Sequence, residues 1–94
     1  MARLLMFHGR ECPHCMRMMP LVEKLEAETD VRFDKHEIWH DEENADLMRS
    51  YRPIIAAECG GQLKVPTFLN PDKGEAVCGE MDYEKLKDWA LKQS

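Results

Sequence analysis

The stretch ECPHCMRMMP, from Glu11 to Pro20, decides how this chain is read. It sets Cys12 and Cys15 two residues apart at the predicted start of a helix. Three explanations compete: a redox pair, half of a metal site, or a coincidence of packing. Pro13 suits the first helical turn, where its missing N–H has no partner to lose. Cys15, Met18, Met19, Val22 and Leu25 then fall on one apolar stripe, which predicts a helix from Cys12 to about Glu28. Pro20 lies inside that helix and is expected to kink it.

Outward from the motif, Arg3 to Phe7 reads as a short buried strand ahead of a turn at Gly9. Val31 to Trp39 reads as a second strand. Strand, helix and strand make a βαβ unit and predict a parallel pair. Asp41 is placed to cap a second helix carrying Leu47, Met48 and Tyr51, with Asn44 three residues on. Pro53 interrupts that helix and opens a new turn to Cys59, and Gly60-Gly61 ends it. Leu63 to Leu69 and Glu75 to Cys78 are predicted strands joined by the turn Asn70-Pro-Asp-Lys-Gly74. Asp82 caps a last helix with Tyr83, Leu86, Trp89 and Ala90 at spacings of three and four. The predicted order is β-α-β-α-β-β-α: an α/β fold with a four-stranded mixed sheet flanked by helices, one domain over residues 1–94.

Composition narrows the function. The 94 residues are 44% hydrophobic and 33% charged, with a net charge of −5. That composition fits a folded globular domain with a modest core. Net negative charge without a basic stripe opposes nucleic-acid binding, where phosphates must be neutralised. No segment approaches the ~20 apolar residues of a membrane span. The apolar run from Leu4 to Phe7 is too short for a signal-peptide core. A cytoplasmic location is therefore expected, and cysteines there are catalytic or metal-binding more often than structural.

At the motif, the first helical turn leaves N–H groups unpaired and carries partial positive charge. A thiolate at Cys12 is stabilised by such surroundings. Cys15 lies three residues on, so the two sulfurs share a face and can close a disulfide. Cys12 would attack a substrate disulfide and Cys15 would resolve the mixed disulfide. His14 adds a donor or a positive charge near Cys12, and Glu11 opposes it.

These residues resemble the thioredoxin superfamily. The likeness rests on Cys12-Pro13-His14-Cys15 after a strand, on Pro20 five residues after the second cysteine, and on Val65-Pro66-Thr67 entering a strand. It spans nearly the whole chain. It implies that Cys12 is the exposed nucleophile, Cys15 the resolving thiol, and Pro66 a cis-proline against the sulfur pair. It also implies that Pro13, Val65, Pro66, Thr67 and Gly79 meet the substrate, with the backbone of Val65 pairing to an extended segment. The direct start at the motif strand and Phe7-His8-Gly9-Arg10 resemble glutaredoxins. Cys78-Gly79-Glu80-Met81-Asp82 loosely resembles their glutathione-holding segment. Pro13-His14 resembles the bacterial periplasmic disulfide-introducing oxidases, which implies a pair more oxidising than thioredoxin. The chain departs from thioredoxin at Met6, where the family has a buried acid, and at Glu11, where it has a tryptophan.

The expectation is thiol–disulfide exchange in cell redox homeostasis, on disulfide-containing proteins or small thiols. No bound organic cofactor is required. Glutathione is a candidate co-substrate, and glutathione or a reductase is the candidate reductant. The alternatives are a zinc or iron–sulfur module built on Cys12, and a non-catalytic domain that uses the Pro66 groove for recognition. A tetrahedral zinc site wants four ligands in two close pairs, and Cys59 and Cys78 do not form a close pair. Both read as plain buried thiols; the sharper alternative is that the fold brings both toward the Cys12 face, where one would serve as a regulatory thiol or an additional ligand. Met18 and Met19 are expected in the core, and Met16 beside a substrate groove. Trp39 and Trp89 are expected to pack. His8, His36 and His40 read as ordinary surface or turn histidines, and Asp41-Glu42-Glu43 as the negative end of a helix.

Overall fold

The computed structural model describes residues 3–93; the domain expected over residues 1–94 also includes residues 1, 2 and 94, which lie outside the described residues. Its elements are β1 (Leu4–His8), α1 (Pro13–Glu28), β2 (Phe33–Glu37), α2 (Glu42–Ser50), α3 (Arg52–Glu58), β3 (Thr67–Asn70), β4 (Glu75–Cys78) and α4 (Tyr83–Leu91). The sheet order is β2-β1-β3-β4. β1 pairs parallel with β2 and antiparallel with β3, and β3 pairs antiparallel with β4. The sheet is thus mixed, as expected.

β1 is central, which explains its unbroken apolar run: a strand covered on both faces has no polar side to present. Its side chains alternate between two cores. Leu4 and Met6 join Met18, Val22 and Leu25 of α1, Phe33, Phe68 and Leu86 of α4. Leu5 and Phe7 join Met48 of α2, Ile55 of α3, Leu69 and Ala76 on the other face. Phe33 and Phe68 meet edge-on with centroids 5.4 Å apart. Each such side chain contributes about 1.5–3 kcal/mol through removal from water. α1 and α4 therefore cover one face, α2 and α3 the other.

Local signals hold at most boundaries. The Asp41 carboxylate accepts the N–H of Asn44, and Asp82 accepts that of Lys85. Asn70 closes the β3–β4 turn, its side-chain oxygen accepting the N–H groups of Asp72 and Lys73. The elements differ from expectation at several boundaries, three of them with a local cause. The turn expected after Pro53 is a seven-residue helix, α3, with Pro53 in its first turn. β2 stops at Glu37, because the Glu37 carboxylate gathers the backbone N–H groups of Trp39 and His40 and bends the chain away. β3 begins only at Thr67, since Pro66 has no N–H to donate to a ladder.

Candidate active site

α1 opens at the cysteine motif. Cys12 is the N-cap, with an extended backbone, and Pro13 occupies the first turn. The Cys15 N–H donates to Cys12 Sγ at 3.3 Å, so the sulfur takes the place of a capping oxygen. The Cys12 N–H donates to Gly9 O at 3.1 Å and closes the turn leading out of β1. Cys12 Sγ also lies 4.0 Å from Val65 O, an acceptor for its S–H. The Val65–Pro66 peptide bond is cis. The strand-entry loop predicted to meet the motif therefore reaches it, although Val65 and Cys12 are 53 residues apart.

Cys12 and Cys15 are free thiols. Both are buried, Cys12 at 4% exposure and Cys15 at 1%. This corrects the expectation of an exposed Cys12. Its sulfur turns inward to cap the helix and is covered by the Val65 carbonyl. The two thiols differ in environment. Burial, reinforced by the hydrogen bond with Cys12, pushes the Cys15 thiol up to about 12. Cys15 thus stays protonated at neutral pH.

The other predicted residues fall around this pair. Pro13 is exposed at the helix start, and Val65 is half-buried. Pro66 is buried. Gly79, in the left-handed region at φ 89°, donates its N–H to Pro66 O at 2.8 Å and ties the end of β4 to the loop. Thr67 is fully buried, and its hydroxyl donates to Lys64 O. Its side chain therefore braces the turn before Pro66. Met6, where thioredoxins carry an acid, lies fully buried in the core beneath α1.

Sequence reasoning missed three contributors. Glu80 reaches across to α1, where its carboxylate meets His14 Nδ1 at 2.8 Å and accepts Arg17 Nε at 2.9 Å. These contacts, Arg17 first and His14 second, hold the Glu80 carboxyl down at about 2. An Arg17 guanidinium nitrogen also lies 3.2 Å from His14 Nδ1, so the three side chains form one cluster. Glu37 is the second. Burial opposes its ionisation, yet the backbone N–H groups of Arg10, His40 and Trp39 outweigh burial and hold its carboxyl below the usual range. Trp39 is the third. It was expected to pack, and one face of its indole does cover Gly9, but it remains 50% exposed. Each also reaches a segment distant in sequence, Glu80 to α1, Glu37 to Arg10 and Trp39 to Gly9, and those contacts carry no local mark.

Cys59 and Cys78 are joined in a disulfide, with Cα atoms 6.0 Å apart. This corrects their reading as separate buried thiols. α3 delivers Cys59 and β4 delivers Cys78 to the sheet face opposite α1. A four-ligand set using Cys12, Cys15 and Cys59 is not assembled, since Cys59 is already bonded. Among the described residues no group of three His, Cys, Asp or Glu side chains is placed to hold a metal ion. No helix among them is long and apolar enough to cross a membrane. A cavity of about 440 Å³ is lined by Val77, Lys85, Asp88, Trp89 and Lys92, none of which belongs to the cysteine site.

No family model matches the chain, and no curated protein does. Solved structures do. A mutant thioredoxin from Halobacterium salinarum matches with a TM-score of 0.70 and 28% identity, over 98% of this chain and 74% of that one. The glutaredoxin of Archaeoglobus fulgidus matches with a TM-score of 0.62 and 29% identity, over 98% of this chain and 88% of that one. A thioredoxin-like protein from Clostridium perfringens shares the fold at a TM-score of 0.70 and 20% identity, over 100% of this chain and 71% of that one. With its mixed four-stranded sheet and these likenesses to both thioredoxin and glutaredoxin over nearly its whole length, the chain belongs to the thioredoxin superfamily.

Proposed function

We propose that the protein is a single-domain thiol–disulfide oxidoreductase whose Cys12–Cys15 dithiol/disulfide pair exchanges two electrons with the thiols and disulfides of proteins or of small-thiol substrates. The observation that carries this reading is the capping of α1 by Cys12 Sγ. A thiolate at that sulfur receives the Cys15 N–H and the positive end of a sixteen-residue helix. In the reducing direction, Cys12 thiolate attacks one sulfur of the substrate disulfide. A Cys12–substrate disulfide forms and the other substrate sulfur leaves as a thiolate. Cys15 then attacks Cys12 Sγ, closes the Cys12–Cys15 disulfide and expels the second substrate thiolate. The two protons of the dithiol end on the two substrate thiols. The oxidising direction is the reverse.

The remaining residues have positioning roles. Pro13 starts the helix, and His14 lines the approach to Cys12. Val65 and Pro66 present backbone to an extended substrate, and Gly79 holds that loop through its N–H to Pro66. Glutathione or a reductase serves as the electron source, with glutathione as a co-substrate. Redox titration against glutathione, with Cys15→Ser used to trap the mixed disulfide, tests the reading. The expected result is a mixed disulfide at Cys12 by mass spectrometry and a potential above about −270 mV, the thioredoxin value. Turnover that survives Cys12→Ser, or no exchange with any disulfide, would reject the function; a potential at or below that value would remove only the oxidising character.

A further inference from the structure

The cavity of about 440 Å³ opens between β4 and α4, and the cysteine site makes no use of it. Its volume falls in the range of roughly 300–1,000 Å³ typical of small-molecule sites. Val77 forms the sheet wall. Its register partner is Phe68, and both lie on the sheet face that α4 covers. Lys85, Asp88, Trp89 and Lys92 form the helix wall. Their spacing of three, four and seven residues from Lys85 brings all four to one side of α4.

The walls are fixed by bonds within the chain. Gln93, only 3% exposed, accepts Asn70 Nδ2 at 3.0 Å. Its own amide donates to Glu75 Oε1 at 3.0 Å and to Trp89 O at 3.1 Å. Lys73 Nζ donates to Lys92 O at 2.7 Å. These bonds tie the end of α4 to the β3–β4 hairpin. Trp89 and Val77 are half-buried and pack against the core, so the apolar part of the lining is pre-formed.

The charges of the lining are not spent internally. Neither Lys85 nor Lys92 pairs with a carboxylate among the described residues, although Asp88 stands three and four positions away. Arg3, Arg17, Lys35 and Arg49 are paired, and Lys24 and Lys87 sit over the Tyr83 ring. Arg10, Arg52 and Lys64 also lack a carboxylate, but none of them lines this cavity. Two ammonium groups and one carboxylate leave the lining one positive charge in excess, which a monoanion neutralises. Charge alone holds an ion weakly at a wet surface, and the chain as a whole is negative at −5. A ligand that stays must also cover the indole and Val77, which an aromatic ring does.

We propose that this cavity is a binding site for a small aromatic monoanion, its ring against Trp89 and Val77 and its anionic group held by Lys85 and Lys92. Asp88 limits the charge that the site accepts. The site is separate from the proposed exchange reaction and does not depend on it.

The test follows indole N–H signals by NMR while 2-naphthoate is added to the whole protein. The chain has two tryptophans, and Trp39→Phe identifies the Trp89 signal. Naphthoate should shift that signal saturably, with a Kd of about 1 mM or below. The Trp39 signal should stay in place. The neutral 2-naphthamide, with the same rings, should bind about tenfold more weakly. Lys85→Gln with Lys92→Gln should weaken naphthoate by a similar factor and leave naphthamide unchanged. Both lysines are exposed, so this variant is expected to fold. Asp88→Asn should tighten naphthoate about two- to threefold. No saturable shift below about 10 mM, equal affinity for acid and amide, or naphthoate binding untouched by the lysine substitutions overturns the proposal. Weaker naphthoate binding in Asp88→Asn overturns it as well.

Discussion

Glu80 Oε1 lies 2.8 Å from His14 Nδ1, joining residues 66 apart in sequence directly beside the cysteine pair. The other Glu80 oxygen accepts Arg17 Nε, so one carboxylate holds two side chains of α1 against the loop after β4. The His14 ring is thereby held in place through Nδ1. Without Glu80 the imidazole would be free to rotate away. Glu80→Gln is expected to slow attack by Cys12 on a disulfide about three- to tenfold, or ~0.7–1.4 kcal/mol. Because both residues act as one unit, adding Glu80→Gln to His14→Ala should change the rate little further. Stopped-flow rates for the two single variants and the double variant measure this, and strictly additive losses would refute the coupling.

The same carboxylate makes stability depend on acidity. Hydrogen bonds from Arg17 and then His14 hold its folded pKa at about 2, below the ordinary 4.5. A depressed carboxyl stabilises the folded state above the unfolded value and loses that contribution as pH falls through the folded one. The window therefore runs from pH 4.5 to about 2. Exposed pairs are weakened by solvent, so the effect is small. Urea midpoints between pH 5 and 2 should fall less in Glu80→Gln than in wild type. Parallel curves for the two proteins would show that Glu80 titrates without this linkage.

Cys15 moves in the opposite sense. Burial and then the hydrogen bond with Cys12 raise it from 9.0 to about 12. Its thiol form is favoured by folding, so this contribution is intact below pH 9 and is lost as pH rises toward about 12. At pH 8 iodoacetamide should label Cys12 first and leave Cys15 unmodified in the folded, reduced protein. Peptide mapping by mass spectrometry reads the order. Equal labelling at the two positions would contradict the asymmetry between attacking and resolving thiols.

The Cys59–Cys78 disulfide joins residues 19 apart in sequence. A cross-link of that span stabilises by about 3 kcal/mol, chiefly through the unfolded chain. In a background lacking Cys12 and Cys15, Cys59→Ala with Cys78→Ala should lower the unfolding free energy by about that amount. Dithiothreitol should destabilise the parent similarly and leave the double alanine variant unaffected. The effect should extend to the substrate loop, since Cys78 pairs with Thr67 in the sheet and the next N–H, that of Gly79, is held by Pro66 O. A parent indifferent to dithiothreitol would show that the cross-link contributes nothing in solution.

Much of this architecture was readable from the chain alone. The unbroken apolar run of β1, the stripe on α1, the caps at Asp41 and Asp82 and the turn at Asn70–Gly74 are all short-range signals. Spacing, a side-chain oxygen or a missing N–H sets each of them within a few residues. Cys12 at the head of a helix belongs to the same class. Tertiary structure decided the rest: the burial of Cys12 beneath Val65, the clasp of Glu80 on His14, the seat of Trp39 on Gly9, and the union of Cys59 with Cys78. These depend on which side chains meet once the sheet order β2-β1-β3-β4 is assembled. A carboxylate or an indole carries no local mark of a partner dozens of residues away. Only the packing of helices on both faces of the sheet brings those groups within bonding distance.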